Sequence, residues 1–359
     1  MNPLAARIAR RIARTGPLTV ADFMAAALTD PEDGYYRKAD PLGAAGDFTT
    51  APEISQLFGE LIGAWLVDCW EKLGRPGKVR LVELGPGRGT LLQDALRAGR
   101  VAPDWLATIE LDLVEINPRL RQSQAERLSA YRPSWHEALA AVPEDAPLLL
   151  IANEFLDALP IRQLVFVRGA WRERMVSWNA GDGFHFTVAA HPHPLSLLIP
   201  EGLAGVEDGS VFELSTAAIG LVADIARRIA GQGGAALLID YGRAESAVGE
   251  SLQAVRHHKM TSPLDDPGAA DLSAHVDFAM LRRAASQAGA AAFGPVTQGD
   301  FLRALGIEAR AGQLRARASP AQAAQIENGM VRLISIDGMG VLFKALALAV
   351  PALIPSGFS

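Results

Sequence analysis

Residues 79–90 read Val-Arg-Leu-Val-Glu-Leu-Gly-Pro-Gly-Arg-Gly-Thr: an apolar run that ends on Gly85, Gly87 and Gly89, with a helix-compatible Leu91–Leu96 after it. A strand that enters a helix through alternating glycines lets the backbone approach a nucleotide-like ligand without a Cβ in the way. The spacing narrows the ligand. A dinucleotide fingerprint needs glycine at position 90, where the chain has Thr90, and no Gly-Lys-Ser/Thr follows to make a phosphate loop. Glu83 stands two residues ahead of the first glycine, and this Glu-x-Gly-x-Gly-x-Gly order suits S-adenosylmethionine, which carries no phosphate. The turn offers Glu83, Gly85, Pro86, Gly87 and Gly89 as candidate cofactor contacts; the alternative is a plain strand-to-helix corner.

A second acid supports the first reading. Thr108–Glu115 has the pattern of the next strand and ends in Glu115, about thirty residues after Gly85. At the tip of a second parallel strand an acid can accept hydrogen bonds from both ribose hydroxyls. A solvated strand-end carboxylate is the other explanation. Asn117-Pro118 breaks the strand, and a helical pattern resumes over 120–128.

The remaining chain alternates strand and helix, with strands expected near 79–84, 108–115, 147–152 and 132–136, which implies a mostly parallel sheet covered on both faces. Residues 1–72 read as a helical segment with a ligand-covering loop, and 73–160 as the first half of the core. The alternation stops after Pro160. Strand patterns at 161–167, 171–178 and 184–189, joined by Arg168-Gly169 and Asn179–Gly183, make 161–211 an inserted antiparallel cap. The second half of the core spans 212–298, opening on a helix at about 212–230 and a buried strand at 235–240; 299–359 adds helices and a closing strand at 341–348.

Composition excludes several classes. With 359 residues and 49% apolar content the chain can bury a large core, and a net charge of −6 without a basic block longer than Arg10-Arg11 argues against nucleic acid. The lone Cys69 sits in an apolar run, so no disulfide framework exists and a reducing compartment is expected. Residues 4–14 have transit-peptide character but continue into Gly16-Pro17 as an ordinary first helix would, and 345–350 is far too short to span a bilayer. The expectation is a soluble protein. His257-His258 and His275 match no zinc spacing, and no metal is expected.

Three polar clusters fall where such folds keep their sites. Asn153, Glu154 and Asp157 follow an apolar strand; two carboxylates three residues apart can grip a guanidinium, and the alternative is Asn153 as a helix cap with first-turn acids. Asp47 and Thr49 lie in a Gly46–Thr50 loop able to fold over a ligand, or to serve as turn and cap. Asp240-Tyr241-Gly242 and Asp271–Asp277 form the third, with His275 or Asp277 as candidate proton acceptors.

The blocks Gly-Tyr-Tyr (34–36), Gly-Asp-Phe-x-Thr (46–50), Glu-x-Ser-Gln-x-Phe-Gly (53–59), Glu-Leu-Gly-Pro-Gly-Arg-Gly-Thr (83–90), Asn-Glu-Phe-x-Asp-Ala-Leu-Pro (153–160), Asp-Tyr-Gly (240–242) and Asp-Leu-x-Ala-His-Val-Asp-Phe (271–278) occur in this order. Together they resemble the signature blocks of the MidA-type S-adenosylmethionine-dependent methyltransferases, departing only at Ser273, where threonine is expected. The resemblance implies an α/β, Rossmann-like seven-strand methyltransferase sheet, S-adenosyl-L-methionine as cofactor, and a protein-arginine substrate. Mitochondrial members of that family are complex I assembly factors that dimethylate an arginine of a complex I subunit, so the expected location is the bacterial cytoplasm or the mitochondrial matrix. On this reading Glu154, Asp157, His275 and Asp277 are the catalytic candidates, and Asp47, Thr49, Glu83, Gly85, Pro86, Gly87, Gly89, Glu115 and Asn153 the cofactor-binding ones. A non-catalytic assembly protein on the same scaffold, or a small-molecule methyltransferase, would keep much of this pattern.

Overall fold

The computed structural model describes residues 1–38, 50–203, 206–256 and 258–358. Its central sheet has seven main strands in the spatial order Ser134–His136, Ile109–Val114, Val79–Leu84, Leu148–Asn153, Gly234–Arg243, Phe343–Ala349 and Ala291–Thr297. The first five run parallel, and 343–349 is antiparallel to both its neighbours. Strand 148–153 is buried at every residue, as a strand covered on both faces must be. Leu84 is in register with both Val114 and Ala152, and Asn153 with Ile239, so the glycine turn, Glu115, the Asn153–Pro160 turn and Asp240 emerge at one carboxyl edge. Strand order reverses between 79–84 and 148–153, the switch point at which open α/β sheets bind ligands.

Helices cover both faces. On one side Gln56–Lys72, capped by the Ser55 hydroxyl, lies against Thr90–Ala98 at the closest approach glycine allows. A Cβ on Gly63 would sit 2.4 Å from the Ala95 carbonyl oxygen, and one on Gly59 2.6 Å from Asp94 Cβ. The other face is closed by Thr216–Gln232 and Phe278–Gln287.

A second module stands beside this sheet. Strands Arg162–Val167, Ala170–Asn179 and Gly183–Pro192 form the expected antiparallel insertion, with Arg168 and Gly169 both at positive φ in the tight turn between the first two. Three features differ from expectation. The helix expected from about 212 begins at Thr216, because Val211–Leu214, buried throughout, pairs with 162–165 and completes the inserted sheet. Gln253–Arg256, Lys259–Thr261 and Asp271–Ser273 form a small three-stranded sheet, and 291–297 a seventh core strand, neither of which carries a clear alternation. The N-terminal segment is shared between cores: helices Pro3–Thr15 and Val20–Thr29 pack with the insertion and the 253–273 sheet, whereas 56–72 belongs to the main sheet. Leu4, Ile8 and Ile12 are the buried stripe of the first helix, as their spacing predicts. Among the described residues no helix is long and apolar enough to cross a membrane.

Candidate active site

Gly85, Gly87 and Gly89 all take positive φ (62°, 54° and 79°), a backbone that L side chains rarely adopt. Gly85 has a further reason to be glycine: a Cβ there would come within 2.7 Å of Phe155 Cδ2, so the ring of the Asn-Glu-Phe block lies directly on the turn. A cavity of about 60 Å³ is lined here by Thr50, Glu53, Glu83, Gly85–Arg88, Asn153 and Glu154. Two of its polar atoms, Glu83 Oε2 and Asn153 Oδ1, are buried without a hydrogen-bond partner. Buried acceptors of this kind are normally satisfied. Their position around a cleft marks a place for a ligand with donors. Burial, then the nearby Glu115, pushes the Glu83 carboxyl up to about 8.

Glu115, at the tip of the neighbouring strand, is 8% exposed. Its Oε1 accepts the Asn117 N–H at 2.7 Å and its Oε2 the Gln124 amide at 3.3 Å. A carboxylate has about four acceptor sites; with a further backbone bond from Ile116, about one remains for a ribose hydroxyl. Burial raises its pKa, opposed by the Asn117 bond. The glycine turn, Glu83, Glu115 and Asn153 therefore line one edge. Asp47 and Thr49 lie outside the described residues.

Of the acids of the 153–160 turn, Glu154 lines this cleft and Asp157 lies next to it, each only partly exposed. Glu154 holds φ +49°, a strained conformation for a non-glycine residue, and accepts the Ala51 N–H at 2.8 Å and the Asn153 amide at 3.2 Å. No helix follows: the turn is clasped instead by Asp240, whose Oδ2 accepts the backbone N–H of Phe155, Leu156 and Asp157 at 3.1, 2.8 and 3.2 Å. First-turn helix capping, the alternative explanation for Glu154 and Asp157, therefore does not apply. Asp157 is bonded to the Tyr241 hydroxyl. Burial is the main cause that raises the pKa of Glu154, to about 7, and of Asp157 and Asp240 upward; mutual repulsion adds to the first and last. Glu154 and Asp157 thus stand close enough to repel, while both oxygens of Asp240 are occupied by backbone N–H groups of residues 155–157 and Tyr241.

His275 and Asp277 both line a separate small cavity and not the glycine-turn cleft. The His275 ring meets Tyr241 edge-on, centroids 5.6 Å apart, and its backbone N–H donates to Ser251 Oγ at 2.8 Å. Burial and then Arg243 lower its pKa, leaving a neutral imidazole at neutral pH. Asp277 Oδ1 accepts the Met280 N–H at 3.0 Å and caps helix 278–287. Several participants are not among the candidate site residues that the sequence singles out. Tyr36 donates to Asp271 at 2.8 Å and feels Asp157; Thr90 donates to Glu53 at 2.6 Å; Gln124 links the glycine turn to Glu115. Tyr36, Glu53, Asp240 and Tyr241 stand in the quoted blocks; Gln124 carries no sequence signal beyond a polar residue on a helical stripe. Among the described residues no group of His, Cys, Asp and Glu could hold a metal.

Comparison with known proteins decides the family. Residues 61–296 match the model of a family described as S-adenosyl-L-methionine-dependent methyltransferases. The chain belongs to this family. It is 38% identical to the mitochondrial protein arginine methyltransferase NDUFAF7 homolog of Drosophila melanogaster, over 96% of this chain and 84% of that one. It is 34% identical to the mitochondrial protein arginine methyltransferase NDUFAF7 of Homo sapiens, over 97% and 83%. A crystal structure of a Burkholderia thailandensis protein bound to S-adenosyl-homocysteine superposes with a TM-score of 0.83 at 28% identity, covering 99% of this chain and 93% of that one. The fold, the enzyme class and S-adenosylmethionine as cofactor thus agree with the expectation from the signature blocks, and the orphaned acceptors and glycine cradle fit that cofactor.

Proposed function

We propose that this methyltransferase modifies an arginine side chain of a protein, a complex I subunit being the first candidate. The observation that carries the reading is the pair of partly exposed carboxyls, Glu154 on the cofactor cleft and Asp157 next to it, set on a turn that the fully buried Asp240 clasps through the N–H groups of residues 155–157. Guanidinium, always charged and with five planar donors, is the substrate group that such a site suits. The protein arginine methyltransferases at 34–38% identity support the same class.

Glu83, Gly85, Pro86, Gly87, Gly89, Glu115 and Asn153 would hold the cofactor, which supplies an electrophilic methyl group on a sulfonium. The work left to the chain is alignment and exclusion of water. Glu154 and Asp157 orient the guanidinium and draw its charge away from the attacking nitrogen. Asp240 fixes both through the backbone N–H groups that it binds. Tyr241 holds Asp157, and the neutral His275 against its ring is the better placed proton acceptor, because Asp277 is engaged in capping. Incubation with labelled S-adenosylmethionine and a complex I subunit homologue, followed by mass spectrometry, should find methylated arginine; label on a small molecule alone would refute the substrate class.

A further inference from the structure

We propose that Gln124 is a positioning residue that sets the cofactor site from behind. It belongs to helix Pro118–Leu128, where Leu120, Gln124 and Leu128 form the buried stripe, and it is 0% exposed. A leucine would fit that stripe; a buried amide is costly unless every polar atom is bonded. Here they are. Nε2 donates to the Gly87 carbonyl at 2.6 Å and to Glu115 Oε2 at 3.3 Å, while Oε1 accepts the Trp135 indole N–H at 2.8 Å. The amide orientation is forced: the reverse would set its oxygen against a carbonyl and a carboxylate, and its NH2 against the indole donor.

One side chain therefore grips the middle glycine of the turn and the acid on the adjacent strand. The Gly87 carbonyl, drawn toward Gln124, fixes the plane of the Gly87–Arg88 peptide at a residue whose φ of +54° has no side chain to restrain it. Glu115 is held from two sides, by Asn117 on Oε1 and Gln124 on Oε2, so its free lone pair keeps one direction. Gln124 itself does not line the cleft. The inference rests on the reading that Glu115 and the glycine turn bind the cofactor.

Isothermal calorimetry with S-adenosylhomocysteine tests it on the full chain, with Gln124→Met, Gln124→Glu and Glu115→Gln in parallel. Gln124→Met keeps the volume and removes both donors; affinity should fall roughly tenfold or more, as for the loss of a hydrogen bond to a charged group. In Gln124→Glu a second carboxylate faces Glu115, with Glu83 beyond it and Arg121 the nearby cation. Its deficit relative to wild type should be at least roughly fivefold larger at about pH 8 than at about pH 6.5, where protonation restores a donor. That ratio decides the matter if Gln124→Met does not fold. Wild-type-like affinity in Gln124→Met, or a flat ratio in Gln124→Glu, with binding lost in Glu115→Gln, would overturn the positioning role and leave the cofactor reading intact. Unchanged affinity in all three variants would overturn both.

Discussion

Replacing Glu154 by Gln should make the protein more stable and much less active. Its carboxyl is raised by burial from an ordinary 4.5 to about 7, so above pH 7 the folded state carries an ionised group it disfavours. At about 1.36 kcal/mol per pH unit, that interval sets an upper bound of roughly 3.5 kcal/mol. The bonds from the Ala51 N–H and the Asn153 amide to Oε1 survive in the glutamine, whose carbonyl can accept both, and the strained φ is unchanged. A net gain of about 2 kcal/mol at pH 8 would raise the melting temperature of a chain this long by roughly 3 °C. The sign follows from the raised pKa. Below about pH 4.5 both folded and unfolded chains are protonated and the variant gains nothing; between there and pH 7 the unfolded carboxyl ionises first, and the advantage of glutamine grows to its full value. Methyl transfer at saturating cofactor should drop by roughly 10²–10³, the loss typical of a preorganised transition-state contact. Thermal melts at several pH values and single-turnover transfer on the same preparation check both arms. A variant less stable than wild type at pH 8, with normal turnover, would refute the account of this residue.

Two further substitutions probe the scaffold. Gly87→Val forces a β-branched residue to φ +54° and should cost roughly 1–3 kcal/mol in backbone strain while abolishing S-adenosylhomocysteine binding; calorimetry showing wild-type affinity would remove the turn from the cofactor site. Gly242→Ala places a Cβ 2.1 Å from the Val276 carbonyl oxygen, across the pairing that brings the 274–277 segment beside Tyr241. Overpacking there should destabilise by about 1–3 kcal/mol or more in chemical denaturation and reduce methyl transfer more than cofactor binding; an unchanged denaturation midpoint would contradict the pairing.

The parts legible in the sequence are those in which local pattern and tertiary role coincide. The glycine turn announces itself because a positive-φ corner needs glycine, and strand 148–153 because a doubly covered strand is apolar nearly throughout. Strands 79–84 and 109–114, which carry Arg80, Glu83, Glu110 and Asp112, are legible from their remaining apolar residues and from the turn and Asn117-Pro118 that end them. Val211–Leu214 escaped, since a short apolar run beside a helix reads as the helix's first turn until its pairing with 162–165 is known. Ala291–Thr297 was hidden for a related reason: half-buried throughout, it lacks alternation. At the site, single acids were visible but their coupling was not. Asp240 binds the turn 83–85 residues earlier in the chain, and Gln124 reaches Gly87 across 37, so neither leaves a local trace. Phe155 on Gly85 shows that a glycine chosen for ligand approach can also be fixed by packing.

The central claim is that the 153–160 acids serve the substrate while the glycine turn serves the cofactor. Asp157→Asn tests the division most directly, because Asp157 meets Tyr241 beside the cleft and is not among the residues that line it. S-adenosylhomocysteine affinity and arginine methylation of a protein substrate should be measured on the same purified variant. The account predicts affinity within about twofold of wild type and methyl transfer reduced by roughly 10² or more. Unimpaired arginine methylation by Asp157→Asn, or a loss of cofactor affinity that accounts for all the lost activity, would contradict it.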